Sequence, residues 1–143
     1  MLDEHSAPMN DATRHAELIE LFDGRLRLYQ HTKGYRFSID AVLLASFSAQ
    51  RAEGAVVDLG TGSGIIPVLL ARRPACSRIT GIEIQADLAE LAQKNIELNC
   101  CTGIVDIVCA DIKNLMNALP AEGFDAAVAN PPFYRVGTGR VNP

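Results

Sequence analysis

Several features that would assign a chain to a membrane or to nucleic acid are missing from this sequence. No apolar run is long enough to span a bilayer, and no charged segment precedes an apolar one as in a targeting leader. We therefore expect a cytoplasmic protein with no membrane partner. The 143 residues carry a formal net charge of −4, so the chain lacks the positive excess of a general nucleic-acid binder. Any RNA contact then requires a local basic patch.

Metal-ligand spacing is absent as well. None of the four cysteines forms a C-x-x-C pair, and no histidine stands beside one, so the sequence predicts no zinc or other metal site. Free and mostly buried thiols are the expected state. These cysteines are Cys76, Cys100, Cys101 and Cys109.

Two common nucleotide-binding motifs are missing, although the chain contains a glycine-rich loop. The dinucleotide fingerprint requires G-x-G-x-x-G, whereas Gly60, Gly62 and Gly64 are spaced G-x-G-x-G and Ile65 stands at the last glycine position. No Gly-Lys-Ser/Thr follows, which excludes a Walker loop. With Asp58 the pattern reads D-x-G-x-G-x-G, and it resembles motif I of class I methyltransferases, which bind S-adenosylmethionine.

The residues around this loop favour a strand before it and a helix after it. Residues 56–59 supply two valines and a leucine, as a buried strand does. Glycine has no Cβ, so its backbone can take unusual dihedral angles and lie directly against a ligand. Pro67 is tolerated in the first helical turn, where free N–H groups face an anionic ligand group. We interpret the segment as a cofactor site formed by backbone.

The second half of the chain predicts an α/β fold. Four apolar strands alternate with helices, which indicates a parallel sheet covered by helices, and we expect the strand order 3-2-1-4. The predicted strands cover residues 56–59, 79–84, 105–110 and 124–129, and helices are predicted between them over residues 65–73 and 86–99.

The first fifty residues predict three elements. Residues 1–24 are expected to form a tail or helix, with the helix toward residues 18–22. A hairpin is expected from residues 26–30, which turn at Lys33-Gly34 back to residues 35–37. Ser38 is a suitable N-cap for a helix over Ile39–Ser48.

Each predicted strand of the sheet ends in a polar residue whose side chain could bind a ligand or take part in a reaction. Asp58, Glu83, Asp111 and Asn130 stand at the ends of the four strands in order, with Glu83 roughly 20 positions beyond the glycines, where an acid accepts from ribose hydroxyls. In an open α/β sheet, ligands bind at this carboxyl edge, where the strand order reverses. The glycine loop and the segment after Asn130 are therefore expected to face one crevice.

That last segment, Asn-Pro-Pro-Phe, carries the predicted chemistry. Two prolines hold the turn rigid, so the Asn130 side-chain oxygen and the Pro131 carbonyl can both accept hydrogen bonds from one planar amino group. These bonds draw electron density toward the nitrogen and help its lone pair to leave conjugation. Phe133 offers a face on which a planar base can stack, a contact worth about 1–3 kcal/mol.

Together these motifs resemble class I methyltransferases of the N-P-P-[FY] type, and most nearly the bacterial tRNA(Val) adenine N6-methyltransferases. The resemblance covers nearly all of residues 25–143, including residues 33–44 before the glycine loop and residues 137–143 after the Asn-Pro-Pro-Phe segment. It implies a Rossmann-like methyltransferase domain, S-adenosylmethionine as cofactor, and transfer of a methyl group to the exocyclic N6 of an adenine in tRNA. Lys33, Arg36, Arg135 and Arg140 are candidates for contacts with RNA phosphates.

The resemblance also implies the residues of the site. It assigns target recognition and catalysis to Asn130, Pro131, Pro132 and Phe133. It assigns cofactor binding to Phe37, Asp40, Asp58, Leu59, Gly60, Thr61, Gly62, Gly64, Glu83, Ile84, Asp111, Ile112 and Asn130.

Alternatives stay open at this point. The C-terminal strands of the family fold are absent, so the fourth strand is expected to be an apolar edge. Either the chain is an incomplete form of a longer enzyme, or a homodimer or another partner covers that edge. The competing functions are glutamine N5-methylation of release factors, guanine N2-methylation of rRNA, and cofactor binding without catalysis. The first of these families usually has a helical substrate domain, for which the roughly fifty residues before the first parallel strand are too few.

Overall fold

The computed structural model describes residues 15–132 other than residues 35, 118 and 120–122. It contains a two-stranded antiparallel hairpin and a four-stranded parallel sheet. The strands are β1 (Ala16–Leu21), β2 (Leu26–His31), β3 (Gly54–Leu59), β4 (Cys76–Glu83), β5 (Val105–Cys109) and β6 (Ala126–Ala129). The helices are α1 (Ile39–Ser48), α2 (Ile65–Leu70), α3 (Ala86–Leu98) and a 3-10 helix, Ile112–Asn117.

The parallel sheet has the order β5-β4-β3-β6. Numbered among the parallel strands alone, this is 3-2-1-4, so the predicted order is confirmed. Val56 of β3 and Ile79 and Ile82 of β4 are fully buried, because central parallel strands are covered on both faces. The apolar runs that this burial requires are what allowed these strands to be predicted from the sequence.

The helices agree with the predictions at their starts more closely than at their ends. Ser38 is the N-cap of α1 with an extended backbone, but its hydroxyl oxygen accepts no backbone N–H of the helix, and the hydroxyl donates to the Asp40 carboxylate at 3.2 Å. α3 ends at Leu98, as predicted within a residue. α2 ends at Leu70, earlier than the expected end at Arg73, because the chain closes into turns before Pro74.

The hairpin corrects two predictions. Residues 18–21, expected in a tail or helix, lie in β1, where Ile19 stands opposite Leu28 of β2. Of the predicted return strand 35–37, residue 35 lies outside the described residues and residues 36 and 37 form no strand, so the hairpin predicted around Lys33-Gly34 is wrong. The turn instead occupies residues 22–24, which all have positive φ and therefore reverse the chain tightly.

Two further expectations concern cysteines and metals. Cys76 and Cys101 are buried, but Cys100 and Cys109 are exposed, so the prediction of mostly buried thiols holds for half of them. Within the described ranges, no cluster of histidine, cysteine and acidic side chains is arranged to hold a metal ion. No helix in that part of the chain has the length and apolar character needed to cross a bilayer.

Candidate cofactor and active site

The ends of the four parallel strands lie at one edge of the sheet. Leu59 pairs with Ile82 on one side and with Ala129 on the other, and Glu83 pairs with Cys109. The glycine loop and the Asn-Pro-Pro segment therefore start at adjacent positions on neighbouring strands. This register places the predicted cofactor loop and the predicted catalytic segment beside each other.

The glycine loop turns back over the end of β4. Gly60 and Thr61 both donate their backbone N–H to the Ile82 carbonyl, at 2.9 and 2.8 Å. Gly60, Gly62 and Gly64 have φ values of +74°, +58° and +82°, which side chains rarely tolerate. A Cβ on Gly64 would also lie 3.1 Å from the Ala92 Cβ of α3. The three glycines are thus required by conformation, and the last also by close approach.

Glu83 fixes this loop from the end of the next strand. Its side chain is buried, and each carboxylate oxygen accepts a backbone hydrogen bond. Oε2 accepts from Gly62 N–H at 2.8 Å and Oε1 from Gln85 N–H at 2.9 Å. A carboxylate oxygen has two lone pairs, so each oxygen of Glu83 can accept one more hydrogen bond from a ligand hydroxyl.

Asp58 is the second buried carboxylate at this edge. Its Oδ2 accepts from the Thr61 hydroxyl at 2.7 Å, while Oδ1 is buried without a hydrogen-bond partner among the described residues. Burial raises the pKa of Asp58 from 3.8 to about 6; the Thr61 hydrogen bond lowers it, and the Glu83 charge raises it further. Within the described ranges, the site therefore holds one carboxylate with both oxygens paired and one with an oxygen unpaired.

Two apolar side chains are exposed beside these acids. Ile84 follows Glu83 and is 62% exposed, and Ile112 follows Asp111 and is 45% exposed. Asp111 itself caps the 3-10 helix, because its Oδ1 accepts from Lys113 N–H at 2.9 Å. Exposed isoleucines at the end of neighbouring strands provide apolar surface that a planar ring can cover.

The other predicted site residues differ in burial and in what they pack against. Phe37 is half-buried and packs against the main core, and Asp40 is exposed at the start of α1. Leu59 is half-buried and packs beside Val57 and Ile82. Asn130 is half-buried, whereas Pro131 and Pro132 are exposed. Phe133, Arg135 and Arg140 lie outside the described residues.

Sequence reasoning missed two residues that support the loop. Gly81 of β4 leaves room for the Thr61 side chain, since a Cβ there would lie 2.9 Å from the Thr61 Oγ1. Asn95 of α3 is fully buried and donates to the Ser63 carbonyl at 2.8 Å. The available signal for Asn95 was its position within the apolar face of α3, where a polar residue requires partners.

Comparison with protein families identifies the domain. The model of the methyltransferase small domain matches residues 38–141, which is most of the chain. The chain belongs to the methyltransferase small domain family. The predicted family membership and α/β fold are confirmed.

Curated relatives of this methyltransferase domain share about a third of the aligned residues. It is 32% identical over 99 residues to the tRNA1(Val) (adenine(37)-N6)-methyltransferase of Glaesserella parasuis, covering 69% of this chain and 41% of that protein. It is 34% identical over 106 residues to the enzyme of the same name from Porphyromonas gingivalis, covering 70% of this chain and 42% of that protein. The chain thus spans about two fifths of the length of these relatives.

A solved structure shares the fold. The domain superposes on the Pyrococcus abyssi tRNA (uracil-54, C5)-methyltransferase in complex with S-adenosyl-L-homocysteine with a TM-score of 0.63. The match covers 83% of this chain and 29% of that one at 22% identity. At this identity the likeness concerns the arrangement of strands and helices.

Proposed function

We propose that this methyltransferase domain transfers a methyl group from S-adenosylmethionine to the exocyclic N6 of an adenine in tRNA. The observation that carries the proposal is the strand register that sets the glycine loop beside Asn130. The names of the curated relatives, tRNA1(Val) (adenine(37)-N6)-methyltransferases, support the choice of tRNA adenine over the competing substrates.

The residues at the carboxyl edge fit the proposed donor. Glu83 has free lone pairs for the ribose hydroxyls, and Ile84 and Ile112 offer apolar surface for the adenine ring. The unpaired oxygen of Asp58 supplies negative charge for a cationic ligand. A Cβ placed on Gly60 meets no described atom within 4 Å, so the backbone there is open to close approach.

The protein's part in the reaction is to position the amine. When bound, S-adenosylmethionine supplies an activated methyl group on a sulfonium. The Asn130 side-chain oxygen and the Pro131 carbonyl accept hydrogen bonds from the target amino group and hold its nitrogen toward that methyl group. The proton leaves the nitrogen after attack, so no general base is required during the attack. Phe133 is proposed to stack on the target base.

Recognition of tRNA in this proposal depends on local charge, since the chain as a whole is acidic. Lys33 is exposed, and Arg36 forms an ion pair with Glu17 at 2.7 Å while remaining half exposed. Both follow the hairpin on the way to α1. We further propose a cytoplasmic location and, at β6, which pairs only with β3 among the described residues, a partner strand from the same or another chain.

Labelled methyl transfer to total tRNA tests the proposal. We expect Asn130→Ala to lower transfer by about 10²–10³-fold, because the amine loses an acceptor that holds it for attack. Its affinity for S-adenosylhomocysteine, measured by calorimetry, should stay within about twofold. Asn114→Ala, an exposed asparagine on the 3-10 helix, is the matched control and should transfer normally.

Three outcomes would contradict parts of this proposal. Label on a release factor rather than on tRNA would favour glutamine N5-methylation. Loss of both transfer and S-adenosylhomocysteine binding in Asn130→Ala would contradict the role given to that side chain. Absence of binding heat in the unmodified chain would remove the donor site itself.

A further inference from the structure

The outer edge of β2 is paired with side chains of a helix. Asn95 of α3 accepts from Tyr29 N–H at 2.7 Å through Oδ1 and donates to the Tyr29 carbonyl at 2.9 Å through Nδ2. One turn later, Asn99 accepts from Arg27 N–H at 3.3 Å and donates to the Arg27 carbonyl at 2.7 Å. Each asparagine therefore satisfies both backbone groups of one strand residue.

The spacing of helix and strand makes this pairing possible. Four residues along a helix rise about 6 Å, and two residues along a strand rise about 6.6–6.8 Å. Side chains at Asn95 and Asn99 consequently match the backbone groups of Tyr29 and Arg27, which face away from β1. Side-chain amides at Asn95 and Asn99 thus make the hydrogen bonds to β2 that a neighbouring strand would otherwise make.

Only one of the two asparagines reaches the glycine loop. The second Nδ2 proton of Asn95 is donated to the Ser63 carbonyl at 2.8 Å, whereas that of Asn99 goes to the Asn95 carbonyl within α3, also at 2.8 Å. Asn95 has no exposed surface, and its amide has used its two protons and its oxygen.

The peptide unit that Asn95 holds lies inside the loop. The carbonyl of Ser63 and the N–H of Gly64 belong to one plane, and the Gly64 N–H donates to the Thr61 carbonyl at 3.0 Å. Both ends of this peptide are therefore fixed. Because Gly64 also has a left-handed φ and lies against Ala92, rotation of the peptide would disturb the whole turn.

We propose that Asn95 is a positioning residue that holds the glycine loop in the conformation that binds S-adenosylmethionine. The same residue couples that conformation to docking of the β1–β2 hairpin. The inference rests on the proposed donor site. One side-chain amide closes both contacts, so ordering the loop favours the docked hairpin. By linkage, S-adenosylmethionine that orders the loop also stabilises hairpin docking. The factor by which it favours docking equals the factor by which docking raises its affinity.

The test compares Asn95→Ala with Asn99→Ala, since both lose contacts to β2 and only the first frees Ser63. At a temperature well below both unfolding midpoints, Asn95→Ala should bind S-adenosylhomocysteine about 10-fold more weakly, because the competent loop conformation is less populated. Asn99→Ala should bind within about twofold of the unmodified chain. Equal affinity of all three proteins would overturn the inference.

Amide hydrogen exchange gives a second measurement that does not depend on a variant. Adding S-adenosylhomocysteine to the unmodified chain should slow exchange at Tyr29, and more so than at Arg27. No change at Tyr29 on saturation would overturn the coupling even if Asn95→Ala fails to fold.

Failure of the donor site is recognised separately. If the unmodified chain binds no S-adenosylhomocysteine, the proposed function fails, and exchange at Gly64 without ligand still decides the role of Asn95. That amide should exchange faster in Asn95→Ala than in Asn99→Ala, and equal rates would contradict the positioning role.

Discussion

The ends of β3 and β4 each bury one carboxylate, and the two carboxylates differ in their hydrogen-bond partners. Glu83 at the end of β4 accepts from two backbone N–H groups, whereas Asp58 at the end of β3 accepts from one hydroxyl and has one oxygen with no partner in the described part of the chain. A buried acid with both oxygens paired stabilises the loop. A buried acid with an unpaired oxygen lowers stability, because the charge of that oxygen is removed from water without a compensating hydrogen bond.

Removing the paired acid should have the largest effect. Glu83→Ala leaves the N–H groups of Gly62 and Gln85 without their acceptor, so we expect the free energy of unfolding to fall by about 3 kcal/mol. Binding of S-adenosylhomocysteine should fall below detection by calorimetry. Urea unfolding gives the first value, and Glu90→Gln on the exposed side of α3 should change it by less than about 0.5 kcal/mol. A loss no larger than that of the control would contradict the loop-fixing role.

Neutralising Asp58 should change the free energy of unfolding in the opposite direction, so that the variant gains stability relative to the unmodified chain as the pH rises. The folded pKa of Asp58, about 6, lies above its ordinary value of 3.8, so its protonated form stabilises the fold at low pH and this stability is lost as pH rises through 6. Asp58→Asn removes that dependence. Between about pH 4.5 and pH 7.5 its unfolding free energy should gain about 2 kcal/mol relative to the unmodified chain. A difference that stays constant over this pH range would show that Asp58 titrates normally.

A smaller change sharpens the comparison without touching either acid. Gly81→Ala places a Cβ against the Thr61 side chain and should lower the unfolding free energy by about 1 kcal/mol through overpacking. It should also weaken the hydrogen bond from Thr61 and so raise the pKa of Asp58, which carboxyl carbon chemical shifts can follow. Gly103→Ala is a suitable control, because a Cβ there meets no described atom within 4 Å. An unchanged pKa would mean that Thr61 shifts together with the new methyl group.

The sequence predicted the carboxyl edge well because its signals are local. Each key residue lies at or within two residues of the carboxyl end of a strand, and parallel strands bring these ends together whatever lies between them. Glu83 was found from its place at the end of a predicted strand and from its spacing to the glycines. Its second use, as acceptor for Gly62, depends on how the loop folds back, and no spacing reports that.

The hairpin and its docking could not be predicted in the same way. Turn signals occur at both Asp23-Gly24 and Lys33-Gly34, and only tertiary packing decides between them. The bond from Tyr29 to Asn95 joins residues that are 66 positions apart. Asn95 appears in the sequence as an interruption of an apolar helix face, which indicates a buried partner without naming it.

The amide pairing between α3 and β2 has a consequence for the behaviour of the chain in concentrated solution. A strand with free N–H and C=O groups along its border is a template for another copy, and such borders begin the sheet-to-sheet growth of aggregates. Asn95 and Asn99 occupy those groups at Tyr29 and Arg27. The docked helix thus shields this border of the hairpin from an incoming strand, and undocking would expose it.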